Sequence, residues 1–169
     1  VRTRRRASLL ICPTSVLGNW SREIRKFTPG LSVYIHHGSD RKQGEDLLTR
    51  VRDVDIVLTT FAMASRDREV LASHTWDGVV LDEAQNIRNP DTLQAKAVCM
   101  LRSRYRVALT GTPVENRLAE LWSLFQFLNP DYLGDRSFFR QRYTTPIERF
   151  RDPVASLRLR KMVSPFILR

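Results

Sequence analysis

Asp77-Gly78-Val79-Val80-Leu81-Asp82-Glu83-Ala84-Gln85 is the stretch on which the reading of this chain turns. An apolar run stopped abruptly by two adjacent acids suits a strand buried on both faces, with a polar tip at its carboxyl end. The same pattern recurs on either side. Upstream, residues 7–12 are a continuous apolar run ending at Pro13, residues 31–36 read as a strand closed by Gly38, and residues 55–60 read as another. Downstream, residues 105–110 lead into a small, hydroxyl-rich turn.

Helical periodicity fills the intervals. Leu17, Trp20, Ile24 and Phe27 fall at spacings of three and four, Pro29-Gly30 ends that helix, and Ser15 is placed to cap it. Further helices are expected over residues 41–52, with Leu47, Leu48 and Val51 as the apolar face, over 61–73, and over 91–101 behind Pro90. Strands alternating with helices at these lengths predict a parallel α/β sheet covered on both faces, in three layers. Every polar cluster falls at the carboxyl end of a strand, the edge at which such sheets bind ligands.

Beyond residue 117 the character changes. Leu118, Leu121, Trp122, Leu124, Phe125, Phe127 and Leu128 form a broad apolar helix face that Asn129-Pro130 stops. Aromatic and basic residues follow (Phe138, Phe139, Arg140, Arg142, Tyr143), then an amphipathic stretch over 154–162. Residues 1–117 are therefore expected to form one lobe and residues 118–169 a helical appendage, with no internal repeat.

Composition narrows the class. With 42% hydrophobic and 27% charged residues, the chain has the make-up of a folded domain. No apolar run approaches the about 20 residues of a membrane span. The apolar stretch after the Arg-rich opening Val1-Arg2-Thr3-Arg4-Arg5-Arg6 is too short for a signal core. Cys12 and Cys99, the only cysteines, lie in apolar patterns with no Cys or His at metal-ligand spacing, which predicts reduced thiols in a reducing compartment. The net charge is +10, and Lys occurs only at 26, 42, 96 and 161, so 24 of the 28 cations are arginine. Such a field favours a polyanionic partner, although a basic composition that merely solvates the surface has the same charge.

The acids carry the first chemical proposal. Phosphoryl transfer to water needs a cation on the phosphates and a group that orients or deprotonates the water. An Asp at a strand tip holds Mg²⁺ directly or through water, and the next acid points elsewhere and serves as base. Taken alone, Asp82 and Glu83 fit a helix cap or surface ion pairs equally well. The segment Ala108-Leu109-Thr110-Gly111-Thr112-Pro113-Val114-Glu115-Asn116, one strand-helix unit later, makes the pairing more specific. Its glycine permits close approach and its threonines offer donors to a neighbouring loop or phosphate.

These residues reach a family. Leu9-Leu-Ile-Cys-Pro-Thr-Ser-Val-Leu-Gly-Asn-Trp20 resembles motif Ia of the SWI/SNF-related ATPases within the superfamily-two helicases, and Asp55-Ile-Val-Leu-Thr-Thr-Phe61 resembles their motif Ib. Leu81-Asp-Glu-Ala-Gln85 resembles motif II, and Leu109-Thr-Gly-Thr-Pro-Val-Glu-Asn116 motif III. Leu121–Pro130 and Pro165–Arg169 look like family-specific helical elements. The resemblance runs through nearly the whole chain, in order.

What the resemblance implies is a RecA-like (P-loop NTPase) first lobe of a motor that moves along double-stranded DNA at the expense of ATP and Mg²⁺. Asp82 would help hold Mg²⁺ through water, and Glu83 would activate the hydrolytic water. Gln85, where many members carry His, would hydrogen-bond to Thr110 or Thr112 and couple the sites, with Gly111 between them. Pro13, Thr14, Ser15, Thr59 and Thr60 match motifs that face the DNA backbone, a contact that carries no sequence information. Partners implied are duplex DNA, a second RecA-like lobe and a DNA-bound protein; a cytoplasmic, nucleoid-associated or nuclear location goes with them.

The departure is an absence. No Gly in these 169 residues is followed by Lys, so the phosphate-cradling Gly-x-x-x-x-Gly-Lys-Ser/Thr loop is not among them. With that loop and the second lobe missing, and Val in place of Met at the start, the sequence fits an incomplete lobe that hydrolyses ATP negligibly on its own. The contrasting reading is a stand-alone, non-catalytic nucleic-acid-binding or interaction module.

Overall fold

The computed structural model describes residues 6–111 and 118–168. Five strands, β1 (Ser8–Cys12), β2 (Val33–His36), β3 (Ile56–Thr60), β4 (Thr75–Leu81) and β5 (Arg102–Ala108), form one all-parallel sheet in the order β2-β3-β1-β4-β5. The most apolar runs take the central places. Register aligns the tips: Cys12 lies opposite Thr60, Ile11 opposite Leu81, and Leu81 opposite Ala108. The polar residues that follow each strand therefore emerge along a single edge.

Alternation along the strands sorts the core into two layers. Leu9, Ile11, Val57, Val79 and Leu81 pack beneath residues of α2 (Gly44–Arg52), α3 (Phe61–Arg66), α4 (Arg68–Ser73), α5 (Leu93–Cys99) and α6 (Leu118–Leu128). Leu10, Cys12, Leu58 and Val80 face α1 (Thr14–Phe27), which contributes Leu17, Trp20 and Ile24. This is the three-layer parallel α/β architecture anticipated, with helices on both faces of the sheet. The α1 face stays open over β5, where Tyr105, Val107 and Leu109 are 49%, 38% and 39% exposed. Gly78 admits the Tyr105 ring across β4, since a Cβ there would lie 2.2 Å from Tyr105 Cζ.

Several elements depart from the sequence expectation. The helix over 61–73 is two helices, broken at Asp67, whose carboxylate is drawn to the tip of β2 by His36 and Arg41. β5 begins at Arg102, three residues before the expected start, because an edge strand tolerates the polar run Arg102-Ser103-Arg104. Ser15 does not cap α1. The cap position is Pro13, with no side-chain cap, so Ser15 stands exposed inside the first turn.

Residues 118–168 form a helical segment. It comprises α6, a single-turn α7 (Arg136–Phe139), a π-helical continuation through Arg140–Arg149, and α8 (Pro153–Val163). Leu121, Phe125, Leu133, Phe139, Tyr143, Leu159 and Val163 form a core of their own. α6 belongs to both cores, because Leu124 and Phe127 from its other side pack into the sheet's core.

Candidate nucleotide-coupling site at the sheet edge

The site starts from the last residues of β4. Asp82 N donates to Ile11 O (2.8 Å) and Leu109 N donates to Leu81 O (2.8 Å), so three strand ends are tied together as the acids emerge. The chain then turns sharply. Glu83 is in the left-handed region (φ 52°, ψ 52°), and Ala84 N donates to Leu109 O at 2.8 Å. Asp82 and Glu83 thereby leave the strand in different directions, both half-buried.

Gln85 bridges the two motifs. Its Oε1 accepts from Thr110 Oγ1 at 2.9 Å, and its Nε2 donates to Glu83 Oε2. A continuous chain Thr110–Gln85–Glu83 thus links the hydroxyl turn to the acid expected to act as base. Gly111 is exposed beside Thr110; Thr112 lies outside the described residues. Asn86 Nδ2 donates to Glu83 O (2.8 Å), and Ser123 of α6 donates to Ile87 O (2.6 Å), anchoring the loop from behind.

The Asp82 carboxylate is held on both oxygens. Oδ1 accepts from Glu83 N (2.9 Å) and Oδ2 from Trp20 Nε1 of α1 (2.7 Å). Each oxygen keeps a lone pair. Among the described residues no three His, Cys, Asp or Glu side chains converge as a metal cage. A single carboxylate at a strand tip suits Mg²⁺, which keeps several waters and is shared with substrate phosphates.

The residues matched to DNA contacts divide. Thr14 and Ser15 are exposed at the start of α1, where uncapped amides and the absence of first-turn acids favour an anion; Pro13 is half-buried beside them. Thr59 and Thr60 are instead buried, at 0% and 1% exposure. Thr59 Oγ1 donates to His36 O (2.9 Å), and Thr60 Oγ1 accepts from Met63 N as the cap of α3. Their hydroxyls are engaged inside the protein and shape the tip of β3.

Sequence reasoning read Trp20 only as part of an apolar face. Its indole N–H was the available signal, because a half-buried indole seeks an acceptor. Cys12 is also close to the acids: fully buried, with its thiol pushed up to about 11 by burial and, second, by the charge of Asp82. Burial likewise raises Cys99. Cys12 is not expected to react with a thiol reagent at pH 8 in the folded chain and the half-buried Cys99 only slowly, and both should react fully once denaturant is added. Native labelling at the rate of a free thiol would contradict that burial.

Known proteins share this sequence pattern and this fold. The sequence model described as the SNF2-related domain matches residues 2–169. The chain is 47% identical over 161 residues to YwqA of Bacillus subtilis, which bears the name of an ATP-dependent helicase/translocase; the match covers 95% of this chain and 18% of that protein. It is 36% identical over 180 residues to the TATA-binding protein-associated factor MOT1 of Saccharomyces cerevisiae, covering 100% of this chain and 10% of that one. Among solved structures, the Sulfolobus solfataricus SWI2/SNF2 ATPase core in complex with dsDNA superposes with a TM-score of 0.87 at 46% identity, over 99% of this chain and 34% of that chain. The chain therefore spans only a tenth to a third of the length of these proteins.

Proposed function

This chain belongs to the SNF2-related domain family, and on that premise we propose that it is part of the first lobe of an ATP-driven motor that moves along double-stranded DNA. The observation that carries this reading is the hydrogen-bonded chain from Thr110 through Gln85 to Glu83, beside the carboxylate of Asp82. Residues 1–117 supply the lobe, and residues 118–169 lead toward a second RecA-like lobe.

Glu83 takes the proton of the attacking water, and Gln85 fixes the orientation of its carboxylate. Asp82 would help hold Mg²⁺, which would supply neutralisation of phosphate charge when bound with ATP. Thr110 and Gly111, with Thr112 next in sequence, transmit the state of Glu83 to the rest of the motor. Thr14 and Ser15 grip a DNA phosphate with amides and hydroxyls, Pro13 lies beside that contact and sets the start of α1, and Thr59 and Thr60 act indirectly by setting the tip of β3. Such a grip ignores sequence, as stepping along any duplex requires. A DNA-bound protein is the object the motor displaces or remodels, which places the protein on DNA in the cell.

DNA binding by the 169-residue chain tests the grip. Duplexes of equal length and unrelated sequence should bind alike and weakly. Log affinity should fall linearly with log salt, at a slope of about −0.9 for each phosphate contacted. Affinity independent of salt would remove the phosphate contacts from the proposal.

A further inference from the structure

We infer that Trp20 is a positioning residue through which α1 sets the carboxylate of Asp82, so that a load on the start of α1 is felt at the acid that holds the metal. This deepens the reading above and rests on it for the roles of Asp82, Thr14 and Ser15.

Asp82 has two hydrogen bonds to its carboxylate. The bond from Glu83 N lies within its own turn and moves with it. The bond from Trp20 Nε1, at 2.7 Å, comes from another element 62 residues away in sequence. A donor to a carboxylate makes a short, charge-assisted bond that is strongly directional. Trp20 therefore selects the orientation in which Oδ2 faces α1 and the remaining lone pairs face outward from the strand tip.

The helix supplying that donor begins at the candidate phosphate grip. Thr14 and Trp20 are six positions apart in one uninterrupted α-helix, roughly 9 Å along its axis at 1.5 Å per residue. Leu17 and Ile24, on either side of Trp20, are buried against Leu10, Cys12 and Leu58. α1 therefore moves on the sheet as one body, and its first turn cannot shift without carrying the indole along. A displacement of about 1 Å takes a 2.7 Å contact beyond hydrogen-bonding reach. A second route to the acids thus runs through the opposite layer of the fold from the Thr110–Gln85–Glu83 chain.

The indole N–H signals in a ¹⁵N–¹H spectrum test this directly. The chain has three tryptophans, and the other two donate to backbone carbonyls away from the acids: Trp76 to Leu71 and Trp122 to Gly134. The Trp20 signal is identified by its loss in Trp20→Phe. Asp82→Ala should move that signal alone. A short duplex DNA should move it more than the Trp76 and Trp122 signals, and most of that movement should vanish in Asp82→Ala. Fluorescence anisotropy of the labelled duplex, recorded in parallel, separates two failures. If the duplex binds and the Trp20 signal stays still, or moves equally in Asp82→Ala, the coupling is overturned while the DNA-binding reading stands. If the duplex does not bind, both fall. Should Asp82→Ala not fold, Trp20→Phe replaces it: the DNA-induced shift of the Asp82 backbone amide should be lost in that variant, and its persistence would overturn the inference.

Discussion

Glu83→Gln, made in the motor proposed above, is expected to lower DNA-stimulated turnover by about 10²–10⁴-fold, the usual contribution of a positioned general base. The substitution keeps length and shape, and a glutamine side chain can still offer an oxygen to Gln85 Nε2, so the Thr110–Gln85 link survives. Nucleotide and DNA affinity should be retained. That combination, binding without turnover, separates loss of the base from loss of the fold. Steady-state phosphate release measured beside duplex binding is sufficient, and unimpaired release would remove Glu83 from the role of base.

The second large effect concerns stability. His36, Arg41 and Asp67 meet under the tip of β2, with side chains 0%, 6% and 13% exposed. Asp67 accepts from His36 Nε2 (2.7 Å), Arg41 Nε (2.7 Å) and Arg41 Nη2 (3.0 Å). Asp67→Ala leaves a buried guanidinium without its counter-ion and frees the α3–α4 break. A loss of about 3–5 kcal/mol is expected, a fall in Tm on the order of 10 °C at this chain length. A loss under about 1 kcal/mol, the worth of an exposed pair, would show the cluster to be far wetter than its burial indicates.

The same cluster sets a pH dependence. Burial lowers the His36 pKa, against the opposing pull of Asp67, so its Nε2–H donates as a neutral imidazole and Arg41–Asp67 is the ion pair. Burial works to raise the Asp67 carboxyl, but hydrogen bonds from Arg41 and His36 outweigh it and leave the pKa below its ordinary value. Both folded pKa values are depressed, so the unfolded chain binds more protons and stability falls on acidification. The loss begins as pH drops below about 6.5, where an unfolded histidine protonates, and steepens below about 4 with the carboxylate. Melting temperatures between pH 8 and pH 4 should show this decline in the parent chain, a steeper one in Asp67→Ala, which removes the group that holds the His36 pKa up, and a flatter one in His36→Gln.

Much of this was legible in sequence where one force dominates. The runs 7–12, 55–60 and 77–82 must be buried on both faces, and that alone places β1, β3 and β4 at the centre and their polar followers on one edge. The reach of Gln85 to Thr110 or Thr112 was implied by the family resemblance, and Thr110 makes the contact. The legibility ended where partners come from afar. Nothing near Asp67 reveals that Arg41 and His36 will claim it, so an amphipathic pattern across 61–73 hides a break. A threonine at a strand tip looks the same whether its hydroxyl faces solvent, as Thr14 does, or turns inward like Thr59. Trp20 satisfied the helix period so well that its polar edge went unread.

The left-handed backbone at Glu83 has an evolutionary reading. A residue with a Cβ gives up about 1 kcal/mol or more in that conformation, a cost glycine avoids. Selection for stability alone would drift this position toward glycine or asparagine. Asp131 and Arg151 bear the same cost, at φ 64° and 51°, so the conformation alone does not mark function; at Glu83 that cost keeps an acid at the tip of β4, where the proposed base is needed.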